Sequence, residues 1–268
     1  MKMNVSLMAT VMETILAIMT ITVPLLGGFF TVFMFYKRDL EKEPTKLVFT
    51  TFLWGLIAGA LIISITIPMF VGIDRLLVLV GKEWAIILVM IGAVLVQVVI
   101  AESLKYYFFH SRCFCLITEV DGLYDGFFYG AIIGTGAGVV DAIVYAILST
   151  EWLEGLRIAI IKTIRIPGTH ALFTGLIGAY CAWNRLKGKK RYPGILYAVS
   201  LHSIWNISTY LIYHFIEEGL VFYIANYSLL VIYIAFMIVI SGMMIKYDQR
   251  EFPDGAPVEL KAQGQCKI

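Results

Sequence analysis

The sequence predicts an all-α protein, a polytopic bundle of about seven to eight membrane-spanning helices. Three observations predict it. Of 268 residues, 60% are hydrophobic and 15% charged, where a soluble domain carries about 25% charge. Mean hydropathy is +0.84. Seven apolar runs, each near the roughly 20 residues that a crossing helix needs, alternate with polar connectors. They read as one membrane domain over 1–246 and a polar, soluble tail over 247–268.

The first run spans 8–36. It is too long for a signal-peptide core and lacks a small-residue cleavage site, so it is a retained span. Pro24, Gly27 and Gly28 lie inside it and predict a kink or close packing. The connector KRDLEKEPTK follows over 37–46, then a second span over 47–70. A third span, 84–109, contains VVIAESLKYYFFH and places Glu102 and Lys105 in apolar surroundings. Ionisable groups are costly there and suggest a functional site, although a lysine near a span end also snorkels to the headgroups. His110 and His214 sit at span ends and are expected at the interface.

The fourth span, 125–148, carries Gly126, Gly130, Gly134 and Gly138, one glycine every four residues. That strips one helix face for close approach by a neighbouring backbone. Asp141 lies inside it and needs a polar surrounding. In TEWLEGLRIAIIKTIRIPG the basic residues Arg157, Lys162 and Arg165 alternate with apolar ones, which predicts a helix lying along the membrane interface. Pro167 marks a turn into a fifth span reaching 183. The basic connector NRLKGKKRYPG precedes a sixth span, 195–215, and a seventh, 220–245.

Lys and Arg concentrate on one side of this alternation. Segments 37–46, 110–124, 184–192 and 246–268 carry fourteen, against six in the other connectors and the N-terminus. By the positive-inside rule the N-terminus lies outside and the C-terminus in the cytoplasm of a cell-membrane protein. If 150–166 crosses or re-enters, the count becomes eight and the orientation has to be revisited. Among the cysteines, Cys113 and Cys115 form a C-x-C with no second pair at zinc-site spacing, so they and Cys181 and Cys266 read as ordinary thiols. No basic patch is large enough to indicate nucleic acid.

The polar residues suggest a chemistry. His202 and Asn206 are four apart and share a helix face, as do Glu102 and Lys105, three apart. His170 follows a proline in PGTHALFTG, a turn-like sequence that can aim it into a cavity. A glutamate can take a proton from water, histidines can bind a metal such as zinc or donate to an oxyanion, and an asparagine amide can also donate. Asp141 could orient a histidine as an acceptor. Singly, each histidine reads equally as a residue bonded to a neighbouring helix. One difficulty stands: Glu102 lies towards the inner end of its span and His170 near the outer start of the next but one, so their depths could differ by more than about 10 Å.

Together these segments resemble the PrsW family of intramembrane proteases, which is related to the type II CAAX prenyl endopeptidases and bacterial immunity-protein relatives. The connector YKRDLEKEPTK, AESLK at 101–105, DGFFYGAIIGTGAG, PGTHALFTGLIGAY and LHSIWN match five family motifs in order. The resemblance implies Glu102, His170 and His202 as catalytic or metal-coordinating residues, with Asn206 assisting and Lys105 and Asp141 supporting. It implies a peptide bond of a membrane-anchored protein as substrate, and zinc or a glutamate-activated water as the means. Two positions depart from the pattern. The family's E-E-x-x-K is Ala101-Glu102 here, and the missing first glutamate is the residue that resembles a general base. Asp141-Ala142 stands where many relatives have Glu-Asn.

Three readings of Ala101 follow: an inactivating substitution, a natural residue with Glu102 sufficient, or a pseudoprotease that binds and presents a membrane partner. A transporter with Glu102 and Asp141 as ion sites is a further class, but the sequence has no inverted repeat.

Overall fold

The computed structural model describes residues 5–39, 42–78, 82–114, 120–187, 193–216 and 219–251. Among them are eight α-helices and no strand: α1 (Val5–Arg38), α2 (Thr45–Leu77), α3 (Glu83–Phe108), α4 (Leu123–Ile147), α5 (Trp152–Arg165), α6 (Leu172–Leu186), α7 (Pro193–Phe215) and α8 (Leu220–Glu251). Six of them are long and apolar enough to cross a membrane: all except α5 and α6. α8 runs past residue 246 to Glu251. The rest of the expected tail, Cys115, Cys266 and the side chain of Cys113 lie outside the described residues.

α4 is the axis of the bundle. Of its apolar window 67% is buried, against 22–28% for the other five. Its glycines make this possible. A methyl group at Gly126 would stand 2.5 Å from the Gly178 carbonyl oxygen of α6, and one at Gly134 would overlap the His170 carbonyl oxygen. On a second face, a methyl at Gly136 would stand 2.8 Å from Gly55 of α2. Two neighbouring backbones thus reach α4 directly, and dispersion contacts replace the hydrophobic drive that lipid does not supply. The N-terminus of α4 is capped from outside its own sequence: Asp248 of α8 accepts from the Leu123 and Tyr124 backbone N–H groups at 2.9 and 2.7 Å. The Glu-Pro of the first connector also has a structural job. Pro44 starts α2, and buried Glu43 accepts from the Tyr129 hydroxyl of α4 at 2.7 Å.

The segment expected to lie along the interface is packed into the helical bundle. α5 packs against α1 and α4. Gly27 of α1 leaves room for Thr163, and Gly155 stands against the Ala146 carbonyl of α4. From Trp152 to Leu186 the chain is one rod, antiparallel to α4, with Gly155 beside Ala146, His170 beside Gly134 and Gly178 beside Gly126. The rod is broken once. Pro167 has no N–H to donate, and over Pro167–Ala171 the helix widens to a π turn in which Ala171 N–H donates to the Ile166 carbonyl at 3.0 Å. α5, the π turn and α6 thus form one continuous helical rod beside α4, broken by the turn into a 14-residue and a 15-residue α-helix. α3 and α7 are also antiparallel, since Glu102 meets His202 while Glu83 lies 3.8 Å from His214.

Candidate functional site

The rod also removes the difference in depth between Glu102 and His170. Because α5 runs beside α4, His170 lies midway along the rod. The π turn inserts one residue and turns the imidazole inward. Its ring centre lies 5.9 Å from that of His202. α7 is held in rotation by the Tyr233 hydroxyl, which donates to the Leu201 carbonyl at 3.0 Å, and by Phe173, stacked on the His202 ring at 4.9 Å.

A cavity of about 390 Å³ opens between α2, α3, α4, α5 and α7. Ala101, Lys105, Asp141, His170, His202 and Asn206 all line it. Glu102 does not. It is 0% exposed and stands behind the wall. Its Oε1 accepts from Lys105 Nζ at 2.5 Å and meets His202 Nδ1 at 2.6 Å. Lys105 is 0% exposed too, so it does not snorkel to the headgroups. A carboxylate already paired with an ammonium can only accept, so the proton sits on His202 Nδ1 and the Nε2 lone pair is the free one.

The second charged group is on the opposite wall. Lys162 Nζ donates to Asp141 Oδ2 at 2.7 Å and lies 3.9 Å from the centre of the Tyr145 ring. His170 Nε2 is 3.7 Å from the same carboxylate oxygen, in its field but beyond hydrogen-bond length. Asp141 is therefore first the counter-ion of Lys162 and only second a neighbour of His170.

Among the lining residues that sequence reasoning missed are Gln97, Tyr145, Lys162 and Arg165. Gln97 had a usable signal, a lone amide four residues before Ala101 in an apolar run, hence on the same helix face. Lys162 and Arg165 were hidden by their assignment to an interfacial helix.

A metal needs ligands that converge, and a structural or catalytic zinc takes at least three from the protein. Among the described residues no group of three His, Cys, Asp or Glu side chains could hold a metal ion. Ala101 has no donor; Oε1 of Glu102 is taken by Lys105 and His202, and its unpartnered Oε2 belongs to a side chain that is 0% exposed and not part of the cavity lining. The set expected for zinc, Glu102 with His170 and His202, therefore reduces to two imidazoles facing the cavity. These residues do not fit a three-ligand metal.

Residues 43–240 match the PrsW family intramembrane metalloproteases. The protease PrsW of Geobacillus kaustophilus (strain HTA426) is 24% identical over 178 residues, covering 65% of this chain and 72% of that protein. No solved structure matches the chain.

Proposed function

The chain belongs to the PrsW family of intramembrane metalloproteases, and from that premise we propose that its cavity is a peptide-hydrolysing site whose water-activating position, residue 101, is occupied by a methyl group. The observation that carries this reading is the division between neighbours: Ala101 lines the cavity, while Glu102 is buried behind it in contact with Lys105 and His202. Glu102 then orients His202 rather than activating water. His202 Nε2 and His170 face the substrate, and the Asn206 amide donates to the oxyanion as the carbonyl carbon becomes tetrahedral. A general base contributes about 10²- to 10⁴-fold, so this chain binds its membrane-anchored peptide and turns it over slower by about that factor than a chain with glutamate at 101. A metal, as the family description implies, would polarise the carbonyl or the water; no step proposed here uses one.

The alternation of the helices supports a multi-pass protein of the cell membrane with its N-terminus outside and C-terminus in the cytoplasm. With α5 inside the bundle, Lys162 and Arg165 leave the outer connectors, which sharpens the excess of basic residues inside.

The test uses proteoliposomes holding a membrane-anchored reporter peptide. Ala101→Glu gains cleavage, and the gain is lost when His170→Ala or His202→Ala is added. Full cleavage in both histidine variants overturns the site. Binding without any gain in Ala101→Glu favours the pseudoprotease reading, which rests on the same sequestration of Glu102.

A further inference from the structure

The cavity holds one more charge than its pairs account for. Glu102 neutralises Lys105, and Asp141 neutralises Lys162. Arg165 also lines the cavity, and among the described residues no carboxylate stands within ion-pair distance of it. Its guanidinium carbon lies 5.8 Å from the centre of the Trp205 ring. That ring is fixed: Trp205 is 5% exposed and meets Tyr233 edge to face at 5.1 Å. An aromatic platform engages the face of a guanidinium and leaves its in-plane N–H groups for a bidentate acceptor.

We infer that Arg165 is a specificity residue that recognises a carboxylate on the peptide entering the cavity. The inference rests on the cavity being the peptide site. A cation without a counter-ion at membrane depth is costly, and an arriving carboxylate relieves that cost, whereas a neutral amide of the same shape does not. The position of Arg165 sets a register. It lies five residues before His170 on one rod, roughly 7.5 Å at about 1.5 Å per residue. An extended peptide covers that length in about two residues at about 3.3 Å each. The recognised carboxylate therefore belongs to a residue about two positions from the bond at the histidines. Lys162 does not compete for it, because Asp141 already occupies its ammonium.

The test is binding of fluorescent membrane-anchored peptides to the unaltered chain in phosphatidylcholine nanodiscs, which needs no turnover. One glutamate is moved along each side of the central bond, each peptide is compared with its glutamine counterpart, and each is made with a free or amidated C-terminus. At one position glutamate binds about tenfold tighter than glutamine, the scale of a charge-assisted hydrogen bond. Arg165→Gln abolishes the preference, Arg165→Lys keeps part of it, and Arg165→Glu reverses it towards a lysine peptide. The amide arm tells a side-chain carboxylate from a terminal one, and either supports the inference. Equal binding of glutamate and glutamine peptides overturns it and leaves the peptide site standing. So does a preference that survives Arg165→Gln. Loss of the preference in phosphatidylglycerol nanodiscs overturns it in favour of an anionic lipid headgroup. No peptide binding of any charge overturns both the inference and the function it rests on.

Discussion

Lys105→Met tests whether Glu102 is a structural carboxylate or a reacting one. Both groups are 0% exposed, and among the described residues Glu102 Oε1 pairs with Lys105 and with His202. Removing the ammonium leaves a buried carboxylate with a single imidazole N–H on Oε1 and nothing on Oε2, which already lacks a partner. Breaking a buried pair from one side costs about 3–5 kcal/mol, while replacing both members with apolar or neutral isosteres is often nearly neutral. Lys105→Met and Glu102→Gln should each fall in the destabilised range, and the double variant should recover most of the loss. The assay is equilibrium unfolding in mixed micelles as the denaturing detergent fraction rises, run as a double-mutant cycle. A coupling energy within about 0.5 kcal/mol of zero, the level expected of independent sites, would refute the argument. So would a Glu102→Gln variant of native stability that, combined with Ala101→Glu, loses all cleavage, because Glu102 would then be reacting directly.

Three shorter predictions concern the scaffold and the donor set. Gly134→Ala puts a methyl into the His170 carbonyl and should destabilise by about 1–3 kcal/mol, the cost of overpacking; Gly92→Ala, with nothing within 4 Å of the new methyl, should stabilise α3 by about 0.5–1 kcal/mol. Equal effects in the same unfolding assay would contradict the packing described for α4. Pro167→Ala restores the missing N–H donor and should let the π turn relax to a regular helix, turning His170 away. In the Ala101→Glu background cleavage should drop about 100-fold, the scale of a misplacement of about 1 Å, with folding kept by circular dichroism; unchanged cleavage would show that the turn does not aim His170. Dialysis against a chelator should leave the unfolding midpoint of the unaltered chain where it was, and a downward shift would mean that the two imidazoles find further ligands.

Much of this architecture was legible because bilayer physics leaves few options. Every long apolar run became a helix, and the four-residue glycine spacing in α4 foretold the face that α6 occupies. The partnership of Glu102, Lys105 and His202 was half legible. Spacing put Glu102 and Lys105 on neighbouring positions of one helix, but not which oxygen they would share or that a histidine 100 residues away would meet it. The packing of segment 150–166 into the bundle was not legible, for an identifiable reason. Its alternation of basic and apolar residues is equally that of an interfacial helix and of a helix lining a polar cavity. Two long-range contacts decide between them, Lys162 to Asp141 and Thr163 to Gly27; Asp141 and Gly27 each stood out in the sequence, but nothing in it paired them with this segment. Arg165 was lost with it, and Gln97 was passed over because one amide in so apolar a run resembles a tolerated exception.

The fate of the two neighbours, Ala101 and Glu102, follows from helix geometry. Successive residues on an α-helix point about 100° apart, at 3.6 residues per turn, so only one of two adjacent carboxylates can face the cavity while the other faces packed protein. Gln97, Ala101 and Lys105 share the cavity face, and Val98 and Glu102, both 0% exposed, share the packed one. A carboxylate at 102 is therefore tied into the fold through Lys105 and His202, whereas one at 101 would be free of it. Loss of the first should cost stability; loss or gain of the second should cost chemistry alone. Ala101 is 6% exposed but borders a cavity of about 390 Å³ already lined with polar groups, so Ala101→Glu, which puts its carboxylate into that space, should cost clearly less than the about 3–5 kcal/mol of breaking the buried pair from one side. A loss as large as that of Glu102→Gln in the same micelle titration would mean that position 101 is packed rather than open, and that no water reaches it.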